Sequence, residues 1–195
     1  MVAKGNAGAK IVTDDVDRSA FVGRLARTVE RSGWSCLAYC LLDSHVHLVV
    51  GTPRPNLGAG MRSLLGPYAQ NFNYRHEHQG HLFRGRFYSV RVKSESHLVS
   101  ALIYVALNPV RAGLVERPER WRWSSYPATI GRLRAPDFLD AQAVLELVDA
   151  DPAKARLRFE LAVAEARSRD RESARGLPPD LVPDLTPALS TTDTP

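Results

Sequence analysis

Apolar positions recur along this chain with two spacings, one helical and one alternating. Behind Asp14 and Asp15, good helix starters, Phe21, Val22, Leu25 and Val29 follow helical spacing, with Arg24, Arg27 and Arg31 on the other faces. Gly33 ends that segment. Residues 34–42 form an apolar run short enough for a strand. Asp43-Ser44 breaks the run, and residues 45–51 read as a second strand. Leu57, Met61, Leu64, Leu65, Tyr68 and Phe72 make one buried stripe of a long helix, which Gly66-Pro67 should interrupt and kink. Residues 2–12 include a first short strand, with Gly5-Asn6 and Gly8 as turn signals, and residues 76–80 read as a polar loop. Residues 82–93 alternate in the β manner through Phe83, Phe87, Val90 and Val92. Ser94-Glu95 then opens a helix that should reach about Asn108, because Pro109 disfavours helical geometry in the residue before it.

The first six elements give the order β-α-β-β-α-β. That order predicts a ferredoxin-like α+β sandwich, with two helices on one face of an antiparallel sheet and the other face open for a site. An extra helix over residues 94–108 and a helical C-terminal extension follow. Residues 116–137 are rich in Arg, Trp and Pro and read as irregular. Residues 140–167 return to helical patterning, split at Asp151-Pro152. The expected organisation is a core over 1–115, an extension over 116–170 that is part of the same unit, and a disordered tail over 171–195, where the composition turns to Pro, Thr, Ser and Asp after Arg175.

Composition narrows the class. The 195 residues are 44% hydrophobic and 24% charged, ordinary values for a globular protein. No apolar run nears the ~18 residues of a membrane helix, and the first residues lack the apolar core of a signal peptide, so a cytoplasmic location without membrane contact is expected. Cys36 and Cys40, four apart in one strand candidate, should share a face, too far apart to bond, as buried apolar residues. The formal charge of +5 is unevenly placed: residues 75–134 carry eleven Lys and Arg against four acids, and the remainder is net acidic. A basic stretch interleaved with Phe, Tyr and Trp suits a phosphate backbone and stackable bases, a solvated surface being the plainer alternative.

Two clusters carry candidate chemistry. In Asp43-Ser44-His45-Val46-His47-Leu48, the histidines two apart would stand on one face of a strand. They are either paired surface imidazoles or half a metal site. In the later helix, Ser100, Tyr104 and Asn108 fall four apart on one face. The plain reading is a half-exposed Tyr and a capping Asn; the sharper one is a nucleophile with a metal ligand one turn along. Two imidazoles and an oxygen ligand would suit Mg²⁺ or Mn²⁺, with zinc not excluded by ligand type. Such an ion could polarise a phosphodiester that Tyr104 attacks. Arg84, Arg86, Arg91 and Lys93 are candidate DNA-phosphate contacts or solvated edge charges, and Arg111 either binds DNA or caps the helix end. His76, His78 and His81 read as surface histidines. A zinc hydrolase using His45 and His47 has no supporting acid or base motif near the pair.

Several blocks in order resemble the single-tyrosine HUH transposases, most closely the branch of REP-associated tyrosine transposases. They are Ala38-Tyr39-Cys40-Leu41-Leu42-Asp43-Ser44-His45-Val46-His47-Leu48; Gly80-His81-Leu82-Phe83-Arg84-Gly85-Arg86-Phe87; Tyr104 through Asn108-Pro109-Val110-Arg111-Ala112-Gly113-Leu114-Val115; and Trp123-Ser124-Ser125-Tyr126. The resemblance covers about residues 2–165. It implies the ferredoxin-like core, His45 and His47 as metal ligands, Asn108 as the polar third ligand and a divalent ion, Mg²⁺ or Mn²⁺. It also implies Tyr104 as the nucleophile that cuts single-stranded or hairpin DNA, leaving a 5′-phosphotyrosine link and a free 3′-OH, with rejoining by a 3′-OH. The setting would be the bacterial nucleoid, with a monomer or a dimer both compatible. The alternative is a decayed or domesticated relative that binds hairpin DNA without cutting it. Three departures stand out: the first strand starts several residues later than the family pattern, Ser44 stands where Asn is common, and Gly66-Pro67 makes the long helix less helix-friendly than the family pattern.

Overall fold

The computed structural model describes residues 1–175. Three strands, β1 (Val2–Lys4), β2 (Ser35–Leu41) and β3 (His45–Gly51), form an antiparallel sheet in the order β1-β3-β2. Helix α1 (Asp15–Ser32) joins β1 to β2, and α2 (Leu57–Arg75) follows β3. Both pack on one face, where Phe21, Leu25, Met61, Leu64 and Tyr68 meet Val46, Leu48 and Leu41. Asp14 caps α1 by accepting from the Asp17 amide, and Gly33 ends it in the left-handed region.

The sixth element departs from its expectation. Residues 82–93 form no strand of the sheet; the segment touches β1 through two isolated antiparallel bridges, Gly5 with Phe83 and Val2 with Tyr88. Between them Gly85 has φ +105°, which breaks the alternation that the apolar pattern suggests. Phe83 is buried while Val90 and Val92 are exposed, so only the first half of the segment packs. The structure is thus a mixed α+β fold on a small three-stranded sheet, with an irregular sixth element on the outer side of β1.

The second face of the sheet is also covered, where an open face was expected. Helix α3 (Glu95–Arg111) lies across it, and Leu102, Val105 and Ala106 pack with Ala38, Cys40 and Leu42 of the β2 region. A register shift between Cys36 and Ala38 turns the start of β2 over. Cys36 therefore joins the α1/α2 side and Cys40 the α3 side, so the two do not share a face. Both are buried free thiols; burial pushes that of Cys36 up to about 12.

Two helix breaks expected from proline do not occur. Helix α2 runs through Pro67, and α3 continues past Pro109 to Arg111. Further along, residues 121–125 lace onto the free edge of β2: the Leu41 amide donates to the Trp123 carbonyl and the Ser125 amide to the Tyr39 carbonyl, each at 2.9 Å, and Trp121 Nε1 donates to the Leu41 carbonyl. This blunts an edge that would otherwise present unpaired backbone groups. Helices α4 (Tyr126–Thr129), α5 (Ala141–Glu146) and α6 (Pro152–Arg175) complete the α3 side, with Tyr126, Val144, Phe159 and Val163 buried there. Helix α6 runs five residues into the span 171–195 assigned to a tail; the rest of that span lies outside the described residues. No described helix is long and apolar enough to cross a membrane.

Two local features yield tests. A Cβ on Gly60 would fall 2.1 Å from the Trp34 ring, which Asn56 fixes by accepting from Trp34 Nε1 at 2.9 Å. Gly60→Ala should therefore cost about 1–3 kcal/mol by overpacking, read as a lower denaturation midpoint with an unchanged slope. The α1–α2 contact also carries an ionic cluster. Arg75 pairs with Asp14 and Asp17, and Thr13 and His76 hydrogen-bond Asp17. The hydrogen bond from Arg75 lowers the Asp14 carboxyl to about 2. Burial pushes Asp17 up, but the bonds from His76, Thr13 and Arg75 outweigh it and hold the carboxyl low. Depressed folded-state values mean stability that is present above ~4, the unfolded carboxylate range, and lost as pH falls through the folded values. Thermal melts should fall steeply between pH ~4 and ~2, and Arg75→Gln should flatten that dependence.

Candidate active site

Alternation along β3 decides where the histidines go. Val46 and Leu48 enter the α1/α2 core, so His45, His47 and Val49 face α3. The turn before them is clamped. Asp43 pairs with Arg18 at 2.5 Å and Lys10 at 3.7 Å, its carbonyl accepts from the Ile11 and Val12 amides, and the Gly5 amide donates to the Ser44 carbonyl. Strand β1 then fixes β3 from the other side, with Val2 opposite His47 and Lys4 opposite His45.

The two imidazoles lie edge to face with centroids 4.9 Å apart. The ring of Tyr104, from α3, packs edge to face on His47 at 5.5 Å. The guanidinium of Arg111 sits 4.8 Å from the centroid of the Tyr104 ring. His45, His47, Tyr104 and Arg111, drawn from positions far apart in sequence, thus form one continuous group. Asn108 is buried one turn beyond Tyr104, and its Nδ2 donates to the Tyr104 carbonyl at 2.8 Å. That bond uses the amide nitrogen and leaves Oδ1 as the side chain's remaining acceptor.

The environments of the histidines differ. His47 is only 3% exposed, and its Nε2 is buried with no hydrogen-bond partner. Burial lowers its pKa well below the usual histidine range, and the charges of His45, the Met1 amine, Lys4 and Arg111 add to the effect. His47 is therefore a neutral imidazole at neutral pH, the form that ligates metals. His45 is partly exposed, with Nδ1 3.0 Å from Ser44 Oγ. When Nδ1 donates its proton to that hydroxyl, the lone pair lies on Nε2. In that tautomer the Ser44 hydroxyl orients the ring.

The basic residues divide. Arg111 belongs to the site itself, where Asp170 of α6 accepts from its Nε at 2.9 Å. Arg84, Arg86, Arg91 and Lys93 are all exposed on the irregular segment beside β1. His76 is tied to Asp17 in the α1–α2 cluster, away from this site. Trp121 and Trp123 pack at the edge of β2. Asp170 was not legible in sequence: it lies 59 residues from Arg111 and carries no motif. Among the described residues, no group of three or more His, Cys, Asp or Glu converges as a metal site, so an ion here would need the Asn108 amide or a ligand from the substrate.

The fold has a counterpart among solved structures. The fold matches a solved structure of a REP-associated tyrosine transposase bound to a REP hairpin, with a TM-score of 0.56, 15% identity, and coverage of 69% of this chain and 79% of that one. In sequence, a curated protein of Haemophilus influenzae (strain ATCC 51907 / DSM 11121 / KW20 / Rd), named as a REP-associated tyrosine transposase, is 24% identical over 111 residues. That alignment takes in 51% of this chain and 63% of the relative's length. No family model matches the chain. The resemblance to REP-associated tyrosine transposases read from the motifs is supported by both the curated relative and the solved structure.

The buried environment of His47 is directly measurable. In metal-free protein its imidazole resonances should stay in the neutral form as pH falls through ~6.5, while the unfolded chain takes up that proton. Acid below ~6.5 should therefore favour unfolding through this residue. Titration of His47 in the ordinary histidine range would contradict the burial described.

Proposed function

We propose that this protein is a metal-dependent tyrosine transposase-like enzyme that cuts and rejoins single-stranded DNA, acting on hairpin-forming repeats. The observation that carries this reading is the continuous packing of His45, His47 and Tyr104, which brings a phenol nucleophile beside two imidazoles. The named likeness to a hairpin-bound transposase supports hairpin DNA as the partner. Residues 82–88, bridged to the outer side of β1, would complete a ferredoxin-like frame with the order of four strands reduced to bridges at one edge.

The side chains fit a divalent ion. The buried, unpartnered Nε2 of neutral His47, the Ser44-oriented imidazole of His45 and the Oδ1 of Asn108 would hold it. Mg²⁺ or Mn²⁺ in that place would polarise the phosphodiester and offset transition-state charge. The chain supplies the rest. Tyr104 Oη attacks phosphorus and the P–O3′ bond breaks. The phenol proton leaves as the new bond forms, and the 3′ oxygen departs with a proton as a free hydroxyl. The product is a 5′-phosphotyrosine link, which a 3′-OH reverses by the same path with no external energy. Arg111 places a half-buried cation beside the reacting phenol. Exposed Arg84, Arg86, Arg91 and Lys93 would track DNA phosphates outside the site. Such a role places the protein with DNA in a bacterial nucleoid, as a monomer or a dimer.

The exposed basic segment, which needs no chemistry to bind DNA, favours a second reading: a hairpin binder that does not cut. One experiment separates the two. Labelled hairpin DNA with Mg²⁺ or Mn²⁺ should give a covalent adduct on denaturing gels. Tyr104→Phe should abolish the adduct while still shifting the hairpin on native gels. A hairpin shift with no wild-type adduct would favour the binder, and an adduct that persists in Tyr104→Phe would remove the tyrosine mechanism.

A further inference from the structure

Arg111 is held in an unusual way. It lies two helical turns after Tyr104, on the same face of α3, because that helix continues through Pro109. Its Nε is engaged sideways by Asp170 Oδ2 at 2.9 Å, and its guanidinium lies over the Tyr104 ring. Its Nη1 is buried and has no hydrogen-bond partner. A buried donor left unpaired is costly, and arginine presents its remaining edge as a fork suited to phosphate oxygens. The side chains of Arg111 and Asp170 are 22% and 32% exposed, so solvent screens the pair only in part.

We infer that Asp170 of α6 is a positioning residue that aims the part-exposed guanidinium of Arg111 at a non-bridging oxygen of the phosphate that Tyr104 attacks, which makes α6 a working part of the active site. This rests on the proposed tyrosine chemistry. Arg111 contacts the reacting groups; Asp170 acts only through Arg111. The carboxylate orients the guanidinium and stops the flexible side chain from swinging to water, so the phosphate meets a donor already in place. Lysine would not substitute well, since its ammonium is a point charge that cannot use one edge for Asp170 and another for phosphate.

The test measures two quantities on the full chain: the rate of adduct formation at saturating hairpin DNA with Mn²⁺, and the hairpin Kd by native gel shift. Asp170→Asn should slow adduct formation about tenfold or more while Kd changes by less than about twofold. Asp170→Glu should restore part of the rate. Arg111→Lys should lose at least as much rate as Asp170→Asn. Adding Asp170→Asn to Arg111→Ala should cost nothing further, the signature of a residue acting through its neighbour. A wild-type rate in Asp170→Asn, a faster one, or a loss matched in Kd would overturn the inference and leave the tyrosine mechanism intact. The absence of any adduct from the wild-type chain would overturn both.

Discussion

The pairing of β3 on both edges is the constraint on which the rest depends. As the middle strand of three, it cannot slip by one residue without exchanging its faces. Val46 and Leu48, each 1% exposed, tie one face to the α1/α2 core. The opposite face therefore has to present His45 and His47. The hydrophobic effect, acting on residues with no part in the chemistry, thus sets the direction in which the histidines point. The Asp43 clamp and the Gly5-to-Ser44 hydrogen bond fix where the strand begins.

Covering that second face supplies the remaining groups. Helix α3 buries Leu102, Val105 and Ala106 against the β2 side of the sheet, and this packing places the Tyr104 ring on His47. Continuation of α3 beyond Pro109 adds Arg111 to the same face. Tertiary contacts hold the helix past a residue that would weaken it in isolation. Helix α6 then packs on α3 and contributes Asp170. The site is partly closed and its charges lie close to low-dielectric packing, which explains why His47 is neutral while a cation stands nearby.

Much of this was legible in the chain. Helical and alternating periodicity located α1, β2, β3, α2 and α3, because each has one face against a core. The His-Val-His spacing and the Tyr104–Asn108 spacing located the candidate chemistry. Legibility failed where local propensity met tertiary support. Residues 82–93 alternate like a strand, yet Gly85 and the lack of a second neighbour leave them as bridges on β1. The prolines of α2 and α3 read as breaks, yet both helices continue. The bulge in β2 sent Cys36 and Cys40 to opposite faces, an effect of one extra residue that no period of two can reveal.

The sequence by itself determined which residue types are present and which share a local face: the histidine pair on one side of a strand, and the tyrosine and asparagine on one side of a helix. These are consequences of backbone periods of 2 and 3.6, which need no partner. Only the tertiary structure decided that those two faces meet, that His47 is buried and neutral, and that Arg111 reaches Tyr104 with Asp170 behind it. Each of those facts depends on packing between elements distant in the chain, where burial and the registry of one element on another, and not local spacing, set distance and charge.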